Sequence, residues 1–297
     1  MNENFSFSQL VGISRNAISM FFQNINIFYL GIISVIFSSI VFIINYIHIK
    51  EFNIPTKITQ SYVNHFYSKL YSIYTVHTSE IFIILVLLLV YIVASIYFTS
   101  FSSTALIKYV ISGEGNENFI SSWDRGKEKW KEYIVYYIIY YILAIIISII
   151  VILIAIFFLI IPVINFIVLI LLMLFFIILF SLSFVGIRLV LDPDKELDII
   201  DSIILSYKSF WKNKLEYLRV ISFYIMTIII LSFILGIMES IIVSVALDII
   251  KYNFMLGVSF EIIGTLIVLY ASALLSVFSS VYWTKIYSIF KNLGYLE

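Results

Sequence analysis

The sequence predicts an all-α, polytopic membrane bundle of six spans, built as three hairpin repeats that each follow an amphipathic cytoplasmic helix. Three observations carry this expectation. Of 297 residues, 62% are hydrophobic and only 12% charged, more apolar surface than a soluble domain can hide from water. The apolar residues gather into six runs of about the ~20 residues that a bilayer requires. Between two of these runs lies a segment, 192–218, that is both strongly charged and strongly periodic.

That segment organises the rest. Leu197, Ile200, Ile203, Ile204, Tyr207, Phe210, Trp211, Leu215 and Leu218 recur at three- and four-residue steps and so share one helical face. Asp198, Asp201, Lys208, Lys212 and Glu216 fall largely on the other. Asp192 is expected to cap the helix, with Pro193 at its first position. Acids crowd the first turns and bases the last, as the helix dipole favours. The pattern is that of a helix lying in the membrane surface and feeding a spanning helix, with Asp198, Asp201, Lys208 and Lys212 as a candidate docking surface.

Taken in order, residues 5–22 form a first surface helix with Phe7, Leu10, Val11, Ser14, Ile18, Phe21 and Phe22 on one face. Residues 25–47 are the first span, read as a retained anchor and not a signal peptide. A polar loop over 50–79 holds a short interfacial helix and, with its edge, all three histidines, His48, His65 and His77. Residues 81–110 are the second span. Residues 113–131 carry a third surface helix with Phe119, Ile120, Trp123 and Trp130 inward. Spans three and four, 133–161 and 163–187, meet at a turn marked by Pro162. Span five runs over 218–238, a loop with a short amphipathic piece around 241–250 over 239–259, and span six over 260–282.

Orientation follows from the basic residues. Fourteen of the eighteen Lys and Arg lie on the side of the termini; only Lys50, Lys57, Lys69 and Lys251 lie on the other. This places both termini in the cytoplasm of a cell-membrane protein. The repeat rests on two spacings. Odd spans are entered through an aromatic-polar step: Phe22-Gln23-Asn24, Trp130-Lys131-Glu132, Trp211-Lys212-Asn213. Even spans end with a serine five residues before a base: Ser103 to Lys108, Ser183 to Arg188, Ser280 to Lys285. The units cover about 5–110, 117–190 and 192–290 of a single membrane domain. Small residues drive packing in lipid, so the even spans, with Ser102, Ser103, Ala105, Ser181, Ser183, Gly186, Ala271 and Ser276, are expected inside. Ser232, Gly236 and Ser240 do the same for span five, and the basic residue ending each even span reaches the headgroups.

Catalytic patterns are missing. The chain has no cysteine, which excludes disulfides, thiolate catalysis and thiolate metal sites. It has no GxSxG, no HExxH and no phosphate loop, so no enzyme, cofactor or metal is expected. The histidines allow a metal or pH-sensing site or ordinary interfacial residues, and their wide spacing favours the latter. Glu239 and Glu261, near the ends of spans five and six, read as interfacial acids. Tyr133, Tyr137, Tyr140 and Tyr141, with Tyr136 among them, line about half of span three as a candidate lipid or cavity face. They border a polar cavity, grip lipid headgroups or form an aromatic belt.

The order of spans, the R-x-x-L-D step from Arg188 to Asp192, and the run from Ile203 to Ser209 leading into Phe210-Trp211-Lys212-Asn213 resemble the membrane domain found next to glycerophosphoryl diester phosphodiesterases and the related YciC-like six-span families. The resemblance covers most of the chain and implies a helical membrane module. It implies no diesterase activity, because in such enzymes catalysis belongs to a separate barrel domain. The expected function is a lipid- or membrane-associated scaffold or regulatory module; the alternative is a transporter or permease subunit. The expected partners are membrane lipids and a cytoplasmic or membrane protein, with no nucleic acid, since the net charge is +0.

Overall fold

The computed structural model describes residues 6–35, 78–111, 119–157, 162–195, 197–252 and 254–296. Eight helices are described: α1 Phe7–Gln23, α2 Ile25–Val35, α3 Thr78–Ile111, α4 Phe119–Phe157, α5 Pro162–Leu191, α6 Ile199–Lys212, α7 Lys214–Tyr252 and α8 Phe254–Asn292. Among the described residues all regular structure is helical. Five helices are long and apolar enough to cross a membrane, and the pair α1–α2, bent by 93° at Asn24, makes a sixth if it is counted as one span. The three histidines, the interfacial helix of the 50–79 loop and the outer part of the first span lie outside the described residues.

Helices break where the sequence places its aromatic-polar steps. Ser6 opens α1 with a reciprocal capping box to Gln9. Asn24 ends it, and its side-chain oxygen then accepts from the Asn26 and Ile27 N–H groups, so one asparagine closes α1 and starts α2. Its amide nitrogen donates to Tyr109 on α3 at 2.6 Å. Lys129 interrupts α4 with φ −126° and ψ 16°. Asn213 separates α6 from α7 with φ −124° and ψ 36°.

The even spans, α3, α5 and α8, touch one another, and α4 and α7 lie against them from outside. Phe101 to Leu106, Ser181 to Ser183, Val185 to Leu191 and Val281 to Thr284 are buried. Facing outward are Val135, Ile138, Ile142 and Ile145 of α4 and Ile229, Phe233, Ile234 and Ile237 of α7. Backbones approach closely where glycine allows it. A Cβ on Gly31 would lie 2.5 Å from Val277, where α2 crosses α8, and one on Gly126 would lie 3.0 Å from Ala105, where α4 meets α3. Hydroxyls add short interhelical bonds: Ser34 with Ser276 at 2.8 Å, Tyr224 with Ser279 at 2.7 Å, and Tyr282 to the Val220 carbonyl at 3.1 Å. In lipid each is worth about 0.6 kcal/mol.

Five expectations are corrected. Residues 192–218 are not one helix: 192–195 is a turn, α6 begins at Ile199 with Asp198 as its N-cap, and Asn213 ends it. Asp192 therefore caps no helix, because its carboxylate is engaged elsewhere. Most of the expected 239–259 loop is helical, since α7 continues to Tyr252 and α8 starts at Phe254. Ser232, Gly236 and Ser240 are exposed, and among the described residues a Cβ on Gly236 would meet nothing within 4 Å. Arg188 does not extend outward from the end of its span but is buried against α8.

The contrast between Gly31 and Gly236 is testable. Gly31→Ala should destabilise the bundle by about 1–3 kcal/mol through overpacking, whereas Gly236→Ala should be neutral or stabilise by up to ~1 kcal/mol through helix propensity. Equilibrium unfolding in mixed micelles measures both.

Candidate functional site at the packed end of the bundle

The polar residues of the spans converge where α5 and α8 end. Arg188 and Asp192 lie four residues apart at the end of α5. Thr284, Tyr287 and Lys291 recur at three- and four-residue steps on α8 and so share a face. The Arg188 guanidinium is 1% exposed. It donates from Nε to Thr284 Oγ1 at 2.9 Å, from Nη1 to the Phe184 carbonyl at 2.6 Å and from Nη2 to the Ser280 carbonyl at 2.8 Å. No carboxylate is among these acceptors. A buried ion is several kcal/mol unfavourable unless its donors are met, and here carbonyl dipoles and one hydroxyl meet them. Phe184 lies 5.9 Å from the guanidinium carbon, and the phenols of Tyr133, Tyr136, Tyr137 and Tyr224 are within its electrostatic reach.

One turn further on, Asp192 is also buried. Its Oδ2 accepts from Tyr287 at 2.5 Å and from Lys291 Nζ at 2.6 Å, and its Oδ1 accepts from the Asp194 N–H at 3.0 Å. Lys291 also reaches Asp194 at 2.8 Å. Burial by itself raises the Asp192 carboxyl, but the bonds from Lys291, Tyr287 and the Asp194 backbone outweigh it and hold the group below the usual carboxylate range. The turn that leads into α6 is thus fastened to α8.

The expected tyrosine face is divided. Tyr140 is buried, stacked on Tyr136 at 5.9 Å between ring centroids, and donates to the Leu179 carbonyl. Tyr133 and Tyr137 are half-buried, 4.8 Å apart, and Tyr141 is 52% exposed. Tyr136 is the deepest of the five, and its hydroxyl occupies the space a side chain on Gly186 would need. Tyr136 and Tyr140 therefore pack against α5, and only Tyr141 fully keeps the outward position that a lipid face requires.

The docking helix keeps most of its apolar stripe outward and turns its serines to the protein. α6 turns Ser202, Ser206, Ser209 and Phe210 inward, with Ser209 and Tyr217 bonded through their hydroxyls at 2.8 Å. Ile200, Ile204, Tyr207 and Trp211 are exposed, between 44% and 62%. Asp201, Lys208 and Lys212 are exposed on a third side, and Asp198 at its start. At 3.6 residues per turn these are three separate sectors, serine, apolar and charged. Near its start, a cavity of about 810 Å³ opens between Asp198, Asp201 and Ile200 on one wall and Glu132 and Ile139 of α4 on the other. Lys129 at the α4 kink spans it to the Val190 carbonyl at 3.3 Å.

Arg188 and Asp192 were not expected as a site. The available signal was an arginine followed by three further apolar residues, a position too deep for an end-of-span charge. Among the described residues no three His, Asp or Glu side chains gather as a metal site would require. Compared with protein-family models, with curated proteins and with solved structures, the chain matches none.

Two outcomes follow for the α5–α8 junction. Because the Asp192 carboxyl is held low, its contribution is fully present above the usual carboxylate range near pH 4 and is lost as pH falls through its lowered value. Asp192→Asn should remove that acid dependence and cost about 1–3 kcal/mol at neutral pH, read from unfolding midpoints between pH 3 and 7. Arg188→Lys should not restore wild-type stability, since an ammonium cannot reach three acceptors set out for a planar fork; equal midpoints for the two proteins would contradict the geometry.

Proposed function

We propose that the chain is a non-catalytic, lipid-associated scaffold or regulatory module of the cell membrane, with both termini in the cytoplasm and surface helices at the bilayer boundary. One observation carries the reading: α6 is divided into a serine side packed on protein, an exposed apolar side and an exposed charged side. A helix at the rim of a bundle, half sunk in headgroups, needs these three surfaces. A helix in water would not expose Ile200, Ile204, Tyr207 and Trp211, and a helix within lipid would not expose Asp201, Lys208 and Lys212.

α1 supports the same reading. Leu10, Ala17, Met20 and Phe21 are buried, Phe7, Val11 and Phe22 are exposed, and Gln9, Arg15 and Asn16 are exposed elsewhere around the helix. The interruptions at Asn24, Lys129 and Asn213, each at an aromatic-polar step, support the idea of a repeated unit of surface helix, span, turn and span. The likeness to the membrane domain beside glycerophosphoryl diester phosphodiesterases belongs to this proposal. Asp198, Asp201, Lys208 and Lys212 are the surface it offers to a cytoplasmic partner.

The native chain has no cysteine, so single-cysteine labelling is clean. Spin labels at Ile204→Cys and Trp211→Cys in proteoliposomes should be relaxed by oxygen, which dissolves in lipid, and a label at Lys208→Cys by a water-soluble nickel complex. Equal access of the nickel complex to all three would refute the placement of α6. Ser8→Cys and Asn292→Cys should both resist an impermeant maleimide in intact cells and react after lysis; labelling of either from outside would reverse the topology.

A further inference from the structure

The charged side of α6 changes sign along its length. Asp198 and Asp201 stand at its start, Lys208 and Lys212 lie one turn apart at its end, and Lys214 opens α7 beyond the break at Asn213. All three lysines are exposed. Among the described residues none of the three has a hydrogen bond, an ion pair or a ring contact. The acids next to them in the chain are engaged or distant. Glu216 is buried and accepts from Arg219 at 3.1 Å. Asp201 precedes Lys208 by seven residues, about 10 Å along the helix, beyond the range of a screened surface charge.

Each lysine has an exposed apolar neighbour. Lys208 follows Tyr207, Lys212 follows Trp211, and Lys214 precedes Leu215. The Tyr207 and Trp211 rings meet edge to face at 6.0 Å. Such rings settle at headgroup level, and a lysine beside them keeps its stem with the acyl chains while its ammonium reaches the phosphates. Three unpaired cations above exposed apolar groups match a headgroup of net negative charge, since ammonium N–H groups donate to phosphate oxygens. A zwitterionic headgroup offers the same phosphate but brings its own cation, which three lysines repel.

We propose that the elbow between α6 and α7 binds anionic phospholipid, with Lys208, Lys212 and Lys214 on the headgroup phosphates and Trp211 and Leu215 against the upper acyl chains. The acidic start of α6 is then left to a cytoplasmic partner. The site rests on the reading that α6 lies at the bilayer surface, but the two fail separately: a label at Trp211→Cys reports depth in phosphatidylcholine alone, whereas the lysines are read by a choice between lipids.

The experiment places the full chain in nanodiscs of equal phosphatidylglycerol and phosphatidylcholine and reads, by native mass spectrometry, the ratio of the two lipids carried out with it. Phosphatidylglycerol should be retained over phosphatidylcholine. Lys212→Gln should lower the ratio about fivefold, the effect of one base at an anionic surface, with an unchanged unfolding midpoint. Replacing all three lysines by glutamine should abolish the preference, and Lys212→Arg should keep it. Lys127→Ala, which removes a base paired with Asp124 at 2.6 Å, should leave it unchanged. A preference as large in the triple variant as in the wild type would overturn the site. Equal retention of both lipids by the wild-type chain would overturn it as well, and would assign the lysines to an acidic protein surface.

Discussion

A guanidinium placed inside an apolar bundle must find acceptors from the protein, because lipid offers none. Arg188 finds them on its own helix at Phe184 and on α8 at Ser280 and Thr284. This fixes where α5 and α8 meet and how they are turned about their axes. Asp192, one turn on, repeats the attachment through Tyr287 and Lys291. The rest of the packed end depends on that junction. The 192–195 turn is held against α8, α6 starts from it, and α7 returns along α8 to place Tyr217 on Phe290 and Tyr282 on the Val220 carbonyl.

Lipid removes the hydrophobic force between helices, so contact must come from close approach and polar bonds. The structure uses both at the same places. Gly31, Gly126 and Gly186 stand where a neighbour leaves no room for a side chain. Ser34, Ser276, Ser279 and Ser209 stand where a hydroxyl can cross to another helix or back to its own turn. The large aliphatic residues, which would form the core of a soluble protein, mostly face outward on α4 and α7. Inside, serine, glycine, alanine and aromatic rings pack among buried aliphatics such as Val185, Leu189, Val277 and Ile286, with Phe184 stacked on Trp283 at 5.4 Å.

These packing rules explain what could be read from the sequence. The helical class, the spanning runs, the helix breaks near the aromatic-polar steps and the buried even spans follow from hydropathy, length and the position of small residues. The outward apolar stripe of α6 was legible as that of a helix in the membrane surface, but the inward side made by Ser202, Ser206, Ser209 and Phe210 was not, because serines carry no hydropathy signal that separates them from the charged side. Arg188 was misplaced for a related reason. A charge near the end of an apolar run normally reaches water, and only the partners Thr284 and Ser280, ninety residues further along, show that it does not. Gly236 illustrates the opposite error: its Ser-xxx-Gly-xxx-Ser setting has the right letters for packing, but no described residue stands within 4 Å of a Cβ there.

The central claim is that paired attachments between α5 and α8 hold the packed end together, and a double-mutant cycle on Asp192 and Lys291 tests it most directly. Asp192→Asn, Lys291→Met and the double variant would be compared by equilibrium unfolding in mixed micelles at neutral pH. The buried, hydrogen-bonded geometry predicts a coupling of about 1–3 kcal/mol. Additive single effects, with a coupling near zero, would mean that the contact is present but does not hold the helices, and would contradict the account.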